Sequence, residues 1–412
     1  MSPQRIGISA AAAVLVVATV APSAAQQSTR LLWYSFGVEN VVSVAWTEDL
    51  DGDATPEILF ESYDAGAPAE DHLFAISGRS EGLGTVVWSA RPLGGPSNSG
   101  GYGEYCLAVA PDLTGDQTRD VLYGAAWGNR SAFLLDGTSG ETAWSFDTYE
   151  DSPPVPPTSG WVYSVASLGN DLTEDGRDEV LFAVGSENDG VYLADGATGE
   201  ILWRLQGADA FGFVASIDDV DGDGIRDVLA LQIDNYPEVF VLSGAGGEGG
   251  NAEVVWNRSL PGSPWGACTI DVPGEERATL VVGCWDNQLH GFDAATGAPR
   301  WDGNVGSYVM RVVPIRDVDN DGIDDLAVGS WGFAGRIHSG ADGSTIWATP
   351  VGDDCWTCDP VDDTNGDGID DLAVGSFNGR AYLMDGATGA ILWSYSVGDK
   401  ILTIRGVPDL TG

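Results

Sequence analysis

Apolar and polar positions along this chain fall into short blocks. "DLAVGS" from Asp325 returns as "DLAVGS" from Asp371, and "DVLALQ", "EVLFAVG" and "DVLYG" stand in earlier copies. Each block is four to eight residues, β-branched, aliphatic or aromatic, bounded by Gly, Asp or Asn, which is the signature of strands and hairpins. A second kind of block, such as "ILWSYS", follows a Thr-Gly turn and ends each unit. Long helix-forming runs are few, which leans toward an all-β class.

The blocks belong to an internal repeat. Acidic loops begin at Asp49 ("DLDGDATPEILF"), Asp112, Asp171, Asp219, Asp317 ("DVDNDGIDDLAVGS") and Asp363 ("DTNGDGIDDLAVGS"), and the last two start 46 residues apart. A degenerate copy, "DVPGEERATLVVG", begins at Asp271. Out of phase runs a second motif: "LDGTSGETAW" ends at Trp144, "ADGATGEILW" at Trp203, "FDAATGAPRW" at Trp301, "HSGADGSTIW" at Trp347 and "MDGATGAILW" at Trp393. Looser forms end at Trp88 and Trp256, and "LLWYSF" surrounds Trp33. One unit therefore predicts four antiparallel strands. The expected fold is all-β, a propeller of four-stranded antiparallel blades. A parallel β-helix would repeat at a shorter period.

Eight tryptophan strands suggest eight blades, closed by pairing the N-terminal "LLWYSF" with inner strands at the C-terminus. Seven blades with spare terminal strands is the alternative. The closing "DLTG" at Asp409 repeats that at Asp112, so the chain is expected to stop inside a last acidic loop, truncated.

The acidic loops carry the candidate chemistry. Asp317, Asp319, Asp321 and Asp325 occupy the first, third, fifth and ninth loop positions, the spacing of oxygen ligands around calcium, with Gly322 at the sharp turn. Asp219, Asp221, Asp223 and Asp227 repeat it in full. Asp363, Asn365, Asp367 and Asp371 replace one charge by an amide, and Asp49, Asp51, Asp53 and Glu57 also qualify. Asp112, Thr114, Asp116 and Asp120, and Asp171, Thr173, Asp175 and Glu179, bring fewer charges and are expected to bind more weakly. An EF-hand is excluded, because Val328 and Val374 stand where it needs a bidentate Glu, and strands flank the loops. In the degenerate copy Pro273 offers no side-chain oxygen, so no calcium is expected there.

The "DxDGDGxxDLAVG" units resemble FG-GAP/VCBS repeats, the calcium-loop units of integrin alpha-chain propellers and of many secreted bacterial proteins. The "DGATGxxxW" segments resemble the tryptophan-docking repeats of quinoprotein (PQQ-like) propellers. Together the motifs cover nearly all of residues 30–412. The resemblance implies a calcium-stabilised propeller with several structural ions held by the loop residues named above.

Composition adds location and charge. Residues 1–25 read as a signal peptide: Arg5, then "IGISAAAAVLVVATV", then small residues at Ser23 and Ala25. The remaining 26–412 read as one domain, secreted or placed in a periplasm or at a cell surface, with no later segment apolar enough to insert into a membrane. The formal net charge is −44, with 62 acidic against 18 basic residues. Such a surface repels nucleic acid and attracts cations.

Five cysteines are present. Cys268 and Cys284 flank the degenerate loop and could either form a disulfide that replaces the missing ion or remain buried thiols. Cys355 and Cys358, in "CWTC", suggest a local disulfide. His72, His290 and His338 are scattered, and none receives a role. Aromatics open the first strands: Tyr102, Tyr105, Trp161, Tyr163, Phe211, Phe213, Trp265, Tyr308 and Trp356. They offer either a binding platform opposite the acidic loops or core packing. The function expected is a monomeric binding or scaffolding module for a protein or polysaccharide. The alternative is the propeller part of a larger secreted enzyme, quinoprotein-like or carbohydrate-active; against the former, the chain lacks adjacent cysteines.

Overall fold

A computed structural model describes residues 13–18, 30–36, 40–63, 71–79, 82–92, 99–100, 103–127, 130–148, 160–274 and 277–407. Among these, seven four-stranded antiparallel sheets follow one another along the chain, each built inner strand to outer strand in sequence order. Blade 1 comprises Asn40–Thr47, Glu57–Tyr63, Leu73–Ser77 and Val86–Ala90; blade 2 Leu107–Ala110, Asp120–Gly124, Ser131–Leu135 and Thr142–Asp147. Blade 3 comprises Trp161–Ser167, Val180–Gly185, Gly190–Ala194 and Ile201–Gln206; blade 4 Phe211–Ile217, Asp227–Gln232, Glu238–Ser243 and Glu253–Ser259. Blade 5 comprises Pro264–Ile270, Thr279–Cys284, Gln288–Asp293 and Pro299–Asn304; blade 6 Val309–Ile315, Asp325–Ser330, Ala334–His338 and Thr345–Pro350. Blade 7 comprises Thr357–Val361, Asp371–Ser376, Arg380–Met384 and Ile391–Ser396.

Second strands are buried along their whole length, whereas outer strands such as Thr142–Asp147 are largely exposed. The reason is layering. Each blade is covered on both faces by its neighbours, so its middle strands can be continuously apolar. The core is accordingly divided between blades: Leu181, Leu193 and Trp203 of blade 3 pack with Val214, Val228 and Leu242 of blade 4.

The expectation of eight blades is overturned. The strand Arg30–Phe36 pairs antiparallel with Ala13–Ala18 and in parallel with Gly82–Leu83, not with blade 7. Residues 397–407 form no strand. They lie along the inner strand of blade 7 instead: the Ile404 amide donates to Thr357 Oγ1 (3.1 Å) and the Gly406 amide to Asp359 Oδ2 (2.8 Å). Val407 then packs beside Val41, Ile58, Phe60 and Ile76 of blade 1. Asp409 and most of residues 1–25 lie outside the described residues.

The two sequence motifs interlock. The acidic residue that opens the second strand is fully buried in six blades: Glu57, Asp120, Glu179, Asp227, Asp325 and Asp371. One of its oxygens accepts the amide six or seven residues upstream, as in Val220 to Asp227 (2.7 Å) and Val318 to Asp325 (2.7 Å). In four blades the other oxygen accepts the glycine amide of the turn between the third and fourth strands: Gly137 (3.1 Å), Gly244 (3.1 Å), Gly340 (3.1 Å) and Gly386 (3.0 Å). The carbonyl at that turn then accepts the indole N–H of the preceding blade's tryptophan. The pairs are Trp88 to Gly137 (2.7 Å), Trp144 to Gly196 (2.8 Å), Trp203 to Gly244 (2.9 Å), Trp256 to Ala294 (2.8 Å) and Trp347 to Gly386 (2.7 Å). A second turn glycine lies under each indole face, where a side chain would collide; a Cβ at Gly343 (φ +73°) would stand 2.7 Å from the Trp301 ring. Trp393, at the end of the series, has no acceptor for its buried indole nitrogen among the described residues.

Candidate functional site

Strand direction places the candidate chemistry at opposite ends of the blades. In blade 6, Ile315 faces Asp325 at one end of the first hairpin and Val309 faces Ser330 at the other. The acidic loops and "DG" turns occupy the first end. The starts of inner strands and the ends of second strands occupy the second, roughly 17–20 Å away for a six-residue strand.

At the loop end, the first-position aspartate is wrapped by backbone amides. Asp49 accepts Gly52 (2.6 Å), Asp53 (3.0 Å) and Ala54 (2.7 Å), and Asp219 accepts Gly222 (2.6 Å) and Gly224 (2.8 Å). The fifth-position residue folds onto the amide two ahead: Asp53 on Thr55, Asp223 on Ile225, Asp321 on Ile323 and Asp367 on Ile369, all at 2.8–2.9 Å. Carboxylate oxygens converge in three loops. Asp49, Asp51, Asp53 and Glu57 form one group, Asp219, Asp221 and Asp227 another, and Asp317, Asp319 and Asp325 a third, each with donor atoms within 4.8 Å of one another. The remaining three loops do not make such a group. Thr114 is bonded to Asp120 (3.2 Å), Asp116 is held by Thr118 and Thr138, and the Asn365 amide is turned toward Asp371 and Asp385. Asp171 and Asp175 engage loop amides, and Glu179 caps Leu172 and Thr173.

The buried carboxyls at these loops are electrostatically uncomfortable. Burial, with Asp51, Asp49 and Asp53 close by, pushes the Glu57 carboxyl up to about 7. Burial, with Asp171 adding to it, does the same for Glu179, to about 7. Burial raises Asp227 and Asp325 to about 6, with Asp221 and Asp319 contributing. Glu57 Oε1 and Glu179 Oε2 are buried and unpaired by any protein donor. Such oxygens fit a hard divalent cation, which supplies the missing charge and the missing partner together.

Blade 5, which lacks the acidic set, is stitched differently from the disulfide considered above. Cys268 faces Val281 and Cys284 faces Pro264 across the hairpin, and the two cysteines belong to core layers on opposite sides of the blade. Cys268, Cys284, Cys355 and Cys358 form no disulfide among the described residues, and Cys355 and Cys358 share one buried cluster. The tie in blade 5 is Arg300, whose guanidinium bonds Thr279 Oγ1 (2.5 Å) and Asp293 Oδ2 (3.1 Å).

At the opposite end, rings from three successive blades form an arc. Trp265 stacks on Trp285 (5.4 Å between centroids), Trp285 on Tyr308 (5.3 Å), Tyr308 meets Trp331 edge-on (5.9 Å), Trp331 stacks on Trp356 (5.3 Å), and Trp356 meets Phe377 (4.4 Å). Lys400 caps the series over the Phe377 ring (4.8 Å). Tyr308 and Trp331 are each 42% exposed and neighbouring Phe333 59%. The indole nitrogens of Trp265, Trp285 and Trp356 are buried without an acceptor. Of the aromatics expected here, Trp265, Tyr308 and Trp356 join the arc. Phe211 and Phe213 are core residues, Tyr105 packs edge-on against Phe213 (4.8 Å), Trp161 and Tyr163 contact each other away from the arc, and Tyr102 lies outside the described residues. Trp285, Trp331 and Phe377 were missed. Their signal was legible, since each follows "VGC" or "VGS" at the end of a second strand.

A charged knot fills the ring near its axis. Arg311 of blade 6 bonds the Cys358 carbonyl (2.8 Å) and Asp359 (2.5 Å), and lies 3.3 Å from Glu104, which precedes blade 2. Glu104 also accepts Thr357 Oγ1 (2.6 Å) and Arg405 (2.5 Å), and Ser43 of blade 1 donates to its carbonyl (2.7 Å). Burial alone would raise the Glu104 carboxyl, but Arg311 and Arg405 hold it below its usual range.

Seven sheets in sequence order, joined across the axis, decide the architecture. The protein is a seven-bladed β-propeller. A family model described as outer membrane protein assembly factor BamB matches residues 131–312, from the third strand of blade 2 into blade 6. Solved structures agree on the fold. BamB from Moraxella catarrhalis is 15% identical, with 90% of this chain and 92% of that chain covered and a TM-score of 0.53. Sqt1 of Saccharomyces cerevisiae is 14% identical over 73% and 76% of the two chains, with a TM-score of 0.55. BBS1N, solved in complex with ARL6DN, is 11% identical over 82% and 90%, with a TM-score of 0.53. No curated protein matches the chain. Among the described residues, no helix of the propeller is long and apolar enough to cross a membrane.

Proposed function

We propose that this propeller is an exported binding and scaffolding module that receives a protein partner on its aromatic arc. The arc carries the reading: stacked rings whose members Tyr308 and Trp331 are partly exposed, beside exposed Phe333, have the chemistry of interface hot spots. BBS1N, a propeller of similar architecture, was solved with a protein partner. The signal-like residues 1–25 support export. A polysaccharide is the second reading, favoured by the exposed ring faces of Tyr308 and Trp331. The net charge of −44 disfavours an anionic glycan.

The acidic loops we read as structural calcium sites that stiffen the first hairpin of six blades. Convergent carboxylates and the orphaned oxygens of Glu57 and Glu179 support this. The ligand sets are Asp49/Asp51/Asp53/Glu57, Asp112/Thr114/Asp116/Asp120, Asp171/Thr173/Asp175/Glu179, Asp219/Asp221/Asp223/Asp227, Asp317/Asp319/Asp321/Asp325 and Asp363/Asn365/Asp367/Asp371. The loops with three or more convergent donors should fill first.

The test uses the calcium-loaded chain and a Tyr308→Ala/Trp331→Ala variant with an unchanged melting temperature. Both are presented to envelope proteins of the producing cell and to a panel of neutral polysaccharides. A specific protein held by the wild type and lost by the variant is the expected result. Polysaccharide retention selects the second reading, and equal binding by both chains refutes the arc as the recognition surface.

A further inference from the structure

The ends of the second and third strands carry the same Ser/Asn/Tyr trio in two blades, and blade 5 fills the three equivalent positions with a different and chemically consistent set. In blade 3 the aligned residues are Ser186, Asn188 and Tyr192; in blade 7 they are Ser376, Asn378 and Tyr382. These trios are neutral hydrogen-bonded locks. Tyr192 donates its hydroxyl to Asn188 Oδ1 (2.9 Å), and Asn378 Nδ2 donates to the Tyr382 hydroxyl (2.7 Å). In blade 5 the same three positions hold Cys284, Asp286 and His290. All three neutral members have become metal-ligating types.

One donor atom from each of the three lies within 4.8 Å of the others. Cys284 is fully buried, and the His290 and Asp286 side chains are 8% and 15% exposed. His290 Nε2 stands 3.0 Å from Asp286 Oδ2, while its Nδ1 stands 2.6 Å from Asp302, directly opposite on the outer strand. The second oxygen of Asp286 accepts the Gln288 amide (3.1 Å). A carboxylate behind a histidine fixes the tautomer, leaving the Nε2 lone pair to face the ligands in front.

We propose that Cys284, Asp286 and His290 form a transition-metal site, best suited to Zn²⁺, with Asp302 as its positioning carboxylate. The donor set selects the metal class. A thiolate and an imidazole suit a borderline ion and not the hard calcium of the acidic loops. Charge selects the valence: one thiolate, one carboxylate and one neutral imidazole neutralise a divalent ion, which a buried location requires. Three protein ligands leave a fourth tetrahedral position for water. The competing arrangement is metal-free, with the His290 ring held between Asp286 and Asp302 and Cys284 as a mere core thiol. That arrangement leaves the replacement of all three members unexplained.

Full-length protein, stripped of metal and returned to excess calcium to occupy the acidic loops, is titrated with Co²⁺ and then Zn²⁺. The expected result is one equivalent of tightly held ion, a thiolate-to-cobalt charge-transfer band, and displacement by zinc. Cys284→Ser should remove the band. Asp302→Asn should keep the band with affinity about 10–100-fold weaker. The triple variant Cys284→Ser/Asp286→Asn/His290→Tyr, which installs the lock used in blades 3 and 7, should fold and bind no transition metal. No stoichiometric ion in the wild type, or a band surviving Cys284→Ser, overturns the assignment.

Discussion

Replacing Trp203 by Phe tests the interlocking of the two motifs. Trp203 is 2% exposed, its indole donates to the Gly244 carbonyl of the next blade at 2.9 Å, and Gly246 lies against its ring. Phe keeps most of the apolar contact and deletes the donor. The buried carbonyl is then unpaired, at a cost of about 1–3 kcal/mol. Unfolding entropy of roughly 2.1 cal/mol/K per residue gives about 0.9 kcal/mol/K for 412 residues, so the melting temperature should fall by about 1–3 °C. The control is Trp393→Phe. Trp393 occupies the same motif position, but its indole nitrogen has no acceptor to lose. That variant should stay within about 0.5 kcal/mol of the parent. Calorimetry at fixed calcium, with urea unfolding as a second probe, measures both. Equal losses for the two variants would refute the interlock and leave burial as the sole role of the tryptophans.

Further outcomes follow from other residues. Stripping calcium with EDTA should lower the melting temperature, and readdition should restore it; an unchanged value would refute structural ions at the acidic loops. Burial, with Arg91 nearby, lowers the His72 imidazole to about 4, below the 6.5 of an unfolded chain. Its contribution is therefore complete above pH 6.5 and lost as pH falls toward 4, by up to about 3 kcal/mol, and His72→Gln should flatten that part of the stability–pH curve. Gly343→Ala, against the Trp301 ring, should cost more than Gly306→Ala, which has a similar φ (+73° against +78°) and open space; backbone strain of about 1–2 kcal/mol is common to both and overpacking falls only on Gly343. Glu104→Gln should destabilise by about 2 kcal/mol by weakening its bonds from Arg311 and Arg405.

Fold class was legible because six of the seven blades repeat one rule in full, a buried acidic residue, an apolar strand, a turn glycine and a tryptophan, and blade 5 departs only in the acidic residue. Blade number was not, because it depends on where Arg30–Phe36 pairs, and a strand's apolar pattern does not name its neighbour. The candidate disulfide failed on register, since symmetry about a loop does not decide which face a side chain takes. His290 looked isolated when the chain was read from end to end. Comparing equivalent positions between blades places it in a column with Tyr192 and Tyr382, and only there does its change of chemistry stand out. Trp285, Trp331 and Phe377 were overlooked for the same reason.

The axial knot sets an order in time. Glu104 meets Arg311 and Arg405, made 207 and 301 residues after it. At about 5–20 residues per second of synthesis, its carboxylate precedes Arg405 by roughly 15–60 s. The early blades must therefore stand as an open arc, their inner edge hydrated, until the stretch around Arg405 arrives. Ring closure is then a late, single event, and a chain halted before Arg405 would present that open arc to the proteases and chaperones around it.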